Sequence, residues 1–230
     1  MKIAIIGAME EEVTKLRNEM ENKKAEVVAN SEFTSGSLAG RDCVLLKSGI
    51  GKVNAAMTTT ILIERYKPDV LINTGSAGGL NPSLNVGDIV ISDKVCHHDV
   101  DATAFGYKYG QVPGMPESYK ADERLTDIAL NAAGELGEVQ VVKGLIASGD
   151  SFISDSEQVK KISKHFPELE AVEMEGSAIA QIAYQYGLPF VIIRSLSDIA
   201  GKESGITFEK FIHTAATNSA KLVLSMIPHI

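Results

Sequence analysis

The stretch Lys2-Ile3-Ala4-Ile5-Ile6-Gly7-Ala8-Met9-Glu10-Glu11-Glu12-Val13 sets the fold. Four apolar or small residues in a row, stopped by glycine, predict a buried strand over Lys2 to Gly7. The next apolar positions, Val13, Leu16 and Met20, are spaced three and four apart, so a helix is expected from about Met9 to Met20. A buried strand feeding an amphipathic helix is the unit of a sheet covered by helices.

The same alternation runs along the chain. Strands are predicted at Phe33 to Leu38, Asp42 to Lys47, Val70 to Thr74, Asp88 to Ser92, Val139 to Ala147, Leu169 to Met174 and Phe190 to Ser195. Helices are predicted at Lys52 to Tyr66, Asp122 to Leu136, Ser156 to His165, Gly176 to Tyr186 and Thr207 to Met226. The hairpin-like runs between 33 and 47 make the sheet mixed rather than purely parallel. No linker, repeat or low-complexity segment divides the chain. The expectation is one α/β domain over residues 1–230, a three-layer α/β/α arrangement around a central mixed sheet.

Composition narrows the function. The 230 residues are 44% hydrophobic and 23% charged, as in globular proteins, and carry a formal charge of −8. That negative field repels phosphate backbones and argues against nucleic acid as a partner. Cys43 and Cys96 lie far apart with no CxxC spacing, which suits a reducing cytoplasm and neither a disulfide frame nor a zinc site. The N-terminal apolar run is too short for a signal peptide. The longest uncharged run, Gly176 to Ile193, is interrupted by Gln181, Gly187 and Pro189 and does not read as a membrane span. A soluble cytoplasmic protein is expected.

In sheets covered by helices, ligands gather at strand ends. Glu12, Ser76, Glu175, Asp198 and Phe152 each follow a predicted strand. Among the three N-terminal glutamates, helical spacing puts Glu12 on the inward side with Val13 and Leu16, and turns Glu10 and Glu11 outward. An acidic first turn favoured by the helix dipole and a working carboxylate both remain open for Glu12. Asp198 opens Ile199-Ala200-Gly201-Lys202-Glu203-Ser204-Gly205, so it reads as a turn cap or as a site residue. Glu173 and Glu175 share a strand face, and one of them could pair with Arg194 on a neighbouring strand.

Two patterns mislead. Gly49-Ile50-Gly51-Lys52-Val53-Asn54 resembles a dinucleotide fingerprint, but the third glycine is Asn54 and the acid at Asp69 begins a strand rather than ending one. His97-His98-Asp99 suggests a metal, but adjacent strand residues point to opposite faces. His165, His213 and His229 have no ligand spacing, so neither cofactor nor metal is expected. The segment Asp99 to Ser118 has no periodicity yet carries Phe105, Tyr107 and Tyr109. Such a loop needs cover from its own core, a ligand or a second chain.

Seven stretches resemble one family. They are Ile5 to Glu12, Ser48 to Ala56, Asn73 to Gly79, Asp101 to Tyr107, Gly149 to Ile153, Val172 to Ala178 and Arg194 to Asp198. Together they resemble the bacterial 5′-methylthioadenosine/S-adenosylhomocysteine nucleosidases, of the purine nucleoside phosphorylase-like fold. The likeness runs nearly the length of the chain. It implies hydrolysis of the bond between adenine and ribose without a cofactor. Asp198 would then be the general acid at purine N7 and Glu12 the base for water, with Ser76 and Arg194 in its polar network. Met9, Met174 and Glu175 would hold the ribose, and Phe152, Ile153 and Ser197 the adenine. Ile50 and Phe208 would line the 5′-substituent pocket, with Ala102, Phe105, Tyr107 and Pro113 supplied by the other subunit of a homodimer. Position 102 departs from the family, where a larger aliphatic residue is expected, and so implies a roomier pocket.

The chemistry fits. Departure of adenine leaves positive charge on the sugar and negative charge on the base, so an acid and a base are needed on opposite sides. Keeping Asp198 protonated near neutrality needs a shift of about 3 units from ~3.9, or roughly 4 kcal/mol. A phosphorylase would need amides and arginines for phosphate, where this chain offers Glu12. A non-catalytic nucleoside-binding protein has no use for both acids.

Overall fold

The computed structural model describes residues 1–202 and 204–230; Glu203, inside the predicted glycine-bearing loop, lies outside them. Among the described residues ten strands and six α-helices follow in the order β1 (Lys2–Gly7), α1 (Glu10–Glu19), β2 (Glu21–Val28), β3 (Ser31–Leu38), β4 (Arg41–Lys47), α2 (Lys52–Tyr66), β5 (Val70–Gly79) and β6 (Ile89–His97). Then come β7 (Tyr119–Lys120), α3 (Glu123–Ala133), β8 (Val141–Ser148), α4 (Ser156–His165), β9 (Leu169–Glu173), α5 (Gly176–Tyr186), β10 (Phe190–Ile199) and α6 (Ser204–Met226). Every element expected from the sequence is present, and the sheet is mixed.

Strand alternation separates the two largest of three buried clusters onto opposite faces of the sheet. Ala4 and Ile6 of β1 join Leu71 and Ile192 on the face covered by α2 and α5. Ile3 and Ile5 join Ile72, Val191 and Ile193 on the opposite face, against α1, α3 and α6. Side chains that are buried on both faces explain why these strands read as continuous apolar runs.

Two strands were not anticipated, β2 and the two-residue β7, which pairs antiparallel with β6. The β2 strand is almost wholly exposed and carries no apolar alternation, so nothing in its pattern marks it. It pairs antiparallel with β3 across Ala29 and Asn30, both with positive φ, a hairpin turn whose geometry rather than its hydrophobicity makes the strand.

Three strands run further than expected. In β5, β6 and β10 the pairing continues past the apolar run into small and polar residues, to Gly79, His97 and Ile199. Ser76 and Asp198 therefore lie inside strands, not in the loops after them, and Asp198 is no turn cap. The extension also curls the sheet. The order is β10-β6-β8-β9-β5-β1-β4-β3-β2, and β10 pairs β5 as well, so β5, β10, β6, β8 and β9 close into a ring.

The closure opens a gap in the ladder. On one edge, β5 pairs with β1 through Val70 to Asn73 and with β9 only at Gly78 and Gly79. Thr74 to Ala77 have no strand partner on that edge. In β10 a bulge between Leu196 and Asp198 turns Asp198 away from the face that Leu196 shares with the core.

No helix among the described residues is long and apolar enough to cross a membrane. Leu71 is fully buried and Val27 is 70% exposed. Leu71→Ala is expected to cost about 2–5 kcal/mol of unfolding free energy, and Val27→Ala less than about 0.5 kcal/mol, as read from urea titrations. Equal losses at the two positions would contradict this assignment of the core.

Candidate active site

Glu12 fills the gap in β5. It sits in the first turn of α1, 3% exposed, and its carboxylate meets four donors. Oε2 accepts from the backbone N–H groups of Ala8 (2.7 Å) and Met9 (3.2 Å). Oε1 accepts from the N–H (2.9 Å) and the hydroxyl (3.0 Å) of Ser76. One carboxylate thus satisfies two donors at the helix N-terminus and one backbone donor that the ladder leaves free. A Cβ on Gly75 would stand 2.6 Å from Glu12 Oε1 and collide with Arg194 Nη1, so that close approach requires glycine.

Arg194, on β10, is fully buried beneath the site. Its Nη2 donates to Asn73 Oδ1 (2.7 Å) and pairs with Glu173, while Glu175 Oε2 stands 3.7 Å away. The two acids left open by the sequence are thereby sorted: Glu173 is the direct ionic partner. Burial opposes the arginine's charge, but Glu173, Glu175 and Glu12 together keep its pKa raised. Glu173 also accepts from the N–H groups of Glu175 (3.0 Å) and Gly176 (2.8 Å) and from the Ser148 hydroxyl, which fixes the start of α5.

Glu175, 5% exposed, accepts from Gly51 N–H at 2.9 Å. Burial and the neighbouring Glu173 push its carboxyl well above the ordinary range, against the pull of Arg194. Asp198 is 1% exposed, and burial raises its pKa as well, with the hydroxyls of Ser197 and Ser204 acting the other way. Ser197 donates to Asp198 Oδ1 (2.9 Å), and Oδ2 lies beside Gly78, 3.2 Å from where a Cβ would be.

These groups border one cavity of about 420 Å³. Its wall includes Met9, Glu12, Ile50, Ser76, Phe152, Ile153, Met174, Glu175, Ser197, Asp198 and Phe208. Phe152 and Phe208 meet edge to face at its mouth, with ring centroids 5.8 Å apart. Arg194 works from behind the wall. Sequence reasoning did not assign to the site the small residues Ala8, Ala77, Gly78 and Ser151, or Val172, Glu173 and Glu209, which also line it. Glu173 alone gave a signal, as one of two acids near a buried arginine.

The remaining predicted residues lie elsewhere. Ala102, Phe105, Tyr107 and Pro113 are outside this cavity. Phe105 is 83% exposed, whereas Tyr109 of the same loop stacks on His165 with centroids 3.8 Å apart. The nucleotide-like turn is otherwise engaged: the N–H groups of Gly51 and Lys52 bind the carboxylates of Glu175 and Asp150. His97 bonds to Ser177 and Gln181 while His98 packs against Gly149. Among the described residues no group of three or more His, Cys, Asp and Glu side chains is arranged to hold a metal ion.

Known proteins match this arrangement. Residues 2–228 fit the model of the Phosphorylase superfamily. A 5′-methylthioadenosine/S-adenosylhomocysteine nucleosidase of Bacillus licheniformis is 64% identical over 230 residues, covering 100% of both chains. The crystal structure of the nucleosidase of that name from Neisseria meningitidis, in complex with methylthio-immucillin-A, superposes with a TM-score of 0.98 at 50% identity, covering 100% of this chain and 99% of that one. The Colwellia psychrerythraea enzyme in complex with adenine gives 0.97 at 50% identity, covering 99% of this chain and 95% of its own. With the fold, the cavity and likeness over the full length in agreement, the chain belongs to the 5′-methylthioadenosine/S-adenosylhomocysteine nucleosidase family of the Phosphorylase superfamily.

Proposed function

We propose that this chain, acting as a single nucleosidase domain, hydrolyses the N-glycosidic bond of 5′-methylthioadenosine and S-adenosylhomocysteine, and of 5′-deoxyadenosine. The products are adenine and the corresponding thioribose or deoxyribose. The observation that carries this reading is the pair of buried carboxylates in one cavity. Glu12 meets β5 at Gly75 and Ser76, and Asp198 meets it at Gly78. At ~3.3 Å per residue they stand roughly 7–10 Å apart along the strand. That leaves room for a sugar and a water between acid and base.

Asp198 is the general acid. Oδ1 is held by Ser197, burial favours the protonated form, and Oδ2 is the oxygen that would present the proton to purine N7. Glu12 is the base: held at both oxygens by fixed donors, it orients and deprotonates water below the anomeric carbon, with Ser76 and Arg194 completing its network. Glu175 binds the ribose hydroxyls, beside Met9 and Met174. Phe152 stacks on the adenine, whose edge meets the Ile153 backbone and Ser197. Ile50 and Phe208 face the 5′-substituent. Neither phosphate, metal nor cofactor takes part in these steps.

We further infer a homodimer in which Ala102, Phe105, Tyr107 and Pro113 complete the neighbouring site. The support is exposed apolar surface: Phe105 at 83%, and Ile50, Val53 and Met57 at 50%, 78% and 39% at the start of α2. The two buried, unpaired cysteines suit a cytoplasmic setting.

Four outcomes are expected. The wild-type protein releases free adenine from 5′-methylthioadenosine at the same rate with and without phosphate, as read by chromatography; a phosphate-dependent rate with ribose-1-phosphate as product would overturn hydrolysis. Asp198→Asn lowers kcat by about 10²–10⁴-fold yet still binds adenine. The same variant also melts at a higher temperature than wild type at pH 8. The raised pKa means the folded state prefers the proton, so ionised Asp198 costs stability at high pH and nothing below the ordinary carboxylate range. The gain should shrink as pH falls towards 4, and a gain independent of pH would contradict the buried acid. Sedimentation at micromolar concentration should give the mass of two chains; a monomer would remove the shared site.

A further inference from the structure

Behind the cavity wall, three charged side chains that do not line it join three separate backbone segments. Lys52 is the first residue of α2, Asp99 begins the aromatic loop after β6, and Asp150 lies in the turn after β8. Lys52 Nζ pairs with Asp99 Oδ1 at 2.6 Å. The other carboxylate oxygen of Asp99 accepts from Asp150 N–H at 3.0 Å. Asp150 Oδ1 accepts from Lys52 N–H at 2.8 Å, closing the triangle.

Two corners adjoin cavity residues along the backbone, and Asp99 is bonded to both of those corners. Lys52 follows Ile50 and Gly51, and Gly51 donates to Glu175. Gly51 has φ +93°, and a Cβ there would stand 3.4 Å from Asp150 Oδ1, so the turn and the triangle are built together. Asp150 precedes Ser151, Phe152 and Ile153 of the wall. The Lys52 and Asp99 side chains are 17% and 31% exposed, less open than the surface pairs that contribute little. Each bond joins a different pair of segments, so losing the Asp99 carboxylate breaks two of the three and leaves only the bond from Lys52 N–H to Asp150.

We propose that Asp99 is a positioning residue, which through Lys52 and Asp150 holds the purine-facing and ribose-facing wall of the cavity in register. It touches no substrate and acts through Phe152, Ile153 and Glu175. This rests on the nucleosidase reading and extends it. Glu12 stands on α1 and Asp198 on β10, and neither side chain is bonded to a corner of the triangle. Its loss therefore affects binding before it affects the proton transfers. Displacement of a binding wall by a fraction of an ångström is enough for a measurable loss.

The test uses the full chain and four variants: Asp99→Asn, Lys52→Met, the double variant, and Lys52→Arg. The first two should raise KM for 5′-methylthioadenosine about three- to tenfold and leave kcat within about twofold. S-adenosylhomocysteine should suffer by the same factor, since the triangle backs the part common to both substrates. The double variant should be no worse than either single, and Lys52→Arg should stay close to wild type. Adenine affinity by calorimetry should fall in parallel, a readout that needs no turnover and so separates this proposal from the assigned reaction. Absence of adenine release by wild type would overturn the nucleosidase reading, while calorimetry would still decide the role of Asp99. Unchanged KM and adenine affinity in both singles, or single effects that multiply in the double, would overturn the positioning role.

Discussion

Between Asn73 and Gly78 one edge of β5 has no neighbouring strand, because β1 has ended and β9 has not yet arrived. A backbone N–H left unpaired in that position, buried on all sides, would cost about 1–3 kcal/mol. Here the N–H of Ser76 is met by the Glu12 carboxylate, which also binds the first amides before α1. The site is therefore part of the construction of the sheet. Removing the carboxylate would leave three backbone donors and a serine hydroxyl to find new partners.

Electrostatics then separates the acids by role. Three glutamates surround one buried arginine, and Glu173 takes the direct pairing. It also holds the start of α5, and Glu175, buried beside it, has its pKa raised by burial and by that neighbour. Asp198 stands apart from that arrangement, its pKa raised by burial. Two carboxyl groups in one cavity thus differ for structural reasons. One is surrounded by donors that include three backbone N–H groups; the other is sheltered from water and meets the hydroxyls of Ser197 and Ser204. Acid and base chemistry at one pH requires that kind of difference.

Much of this was legible in the sequence, and the limits have physical causes. Helical spacing was enough to separate Glu12 from Glu10 and Glu11, because only one of the three can face inward with Val13 and Leu16. The ends of β5 and β10 were not legible: they continue through Gly75, Ser76, Gly78 and Asp198, which have no apolar pattern and are held by pairing across the closed ring. The ring itself arises from long-range pairing of β10 with β5, which no local window contains. The β2 strand was missed for the opposite reason, having no buried face. Residue roles came from resemblance to the family, whereas Glu173, the central ionic partner, was only one of two candidates.

A crystal structure with a bound 5′-thioadenosine analogue tests the central claim most directly. The account predicts Asp198 Oδ2 within hydrogen-bonding distance of purine N7, and a water held by Glu12 under the anomeric carbon on the opposite side of the sugar. A nucleoside whose base is turned away from residue 198, or whose anomeric carbon lies out of reach of any water bound to residue 12, would contradict it.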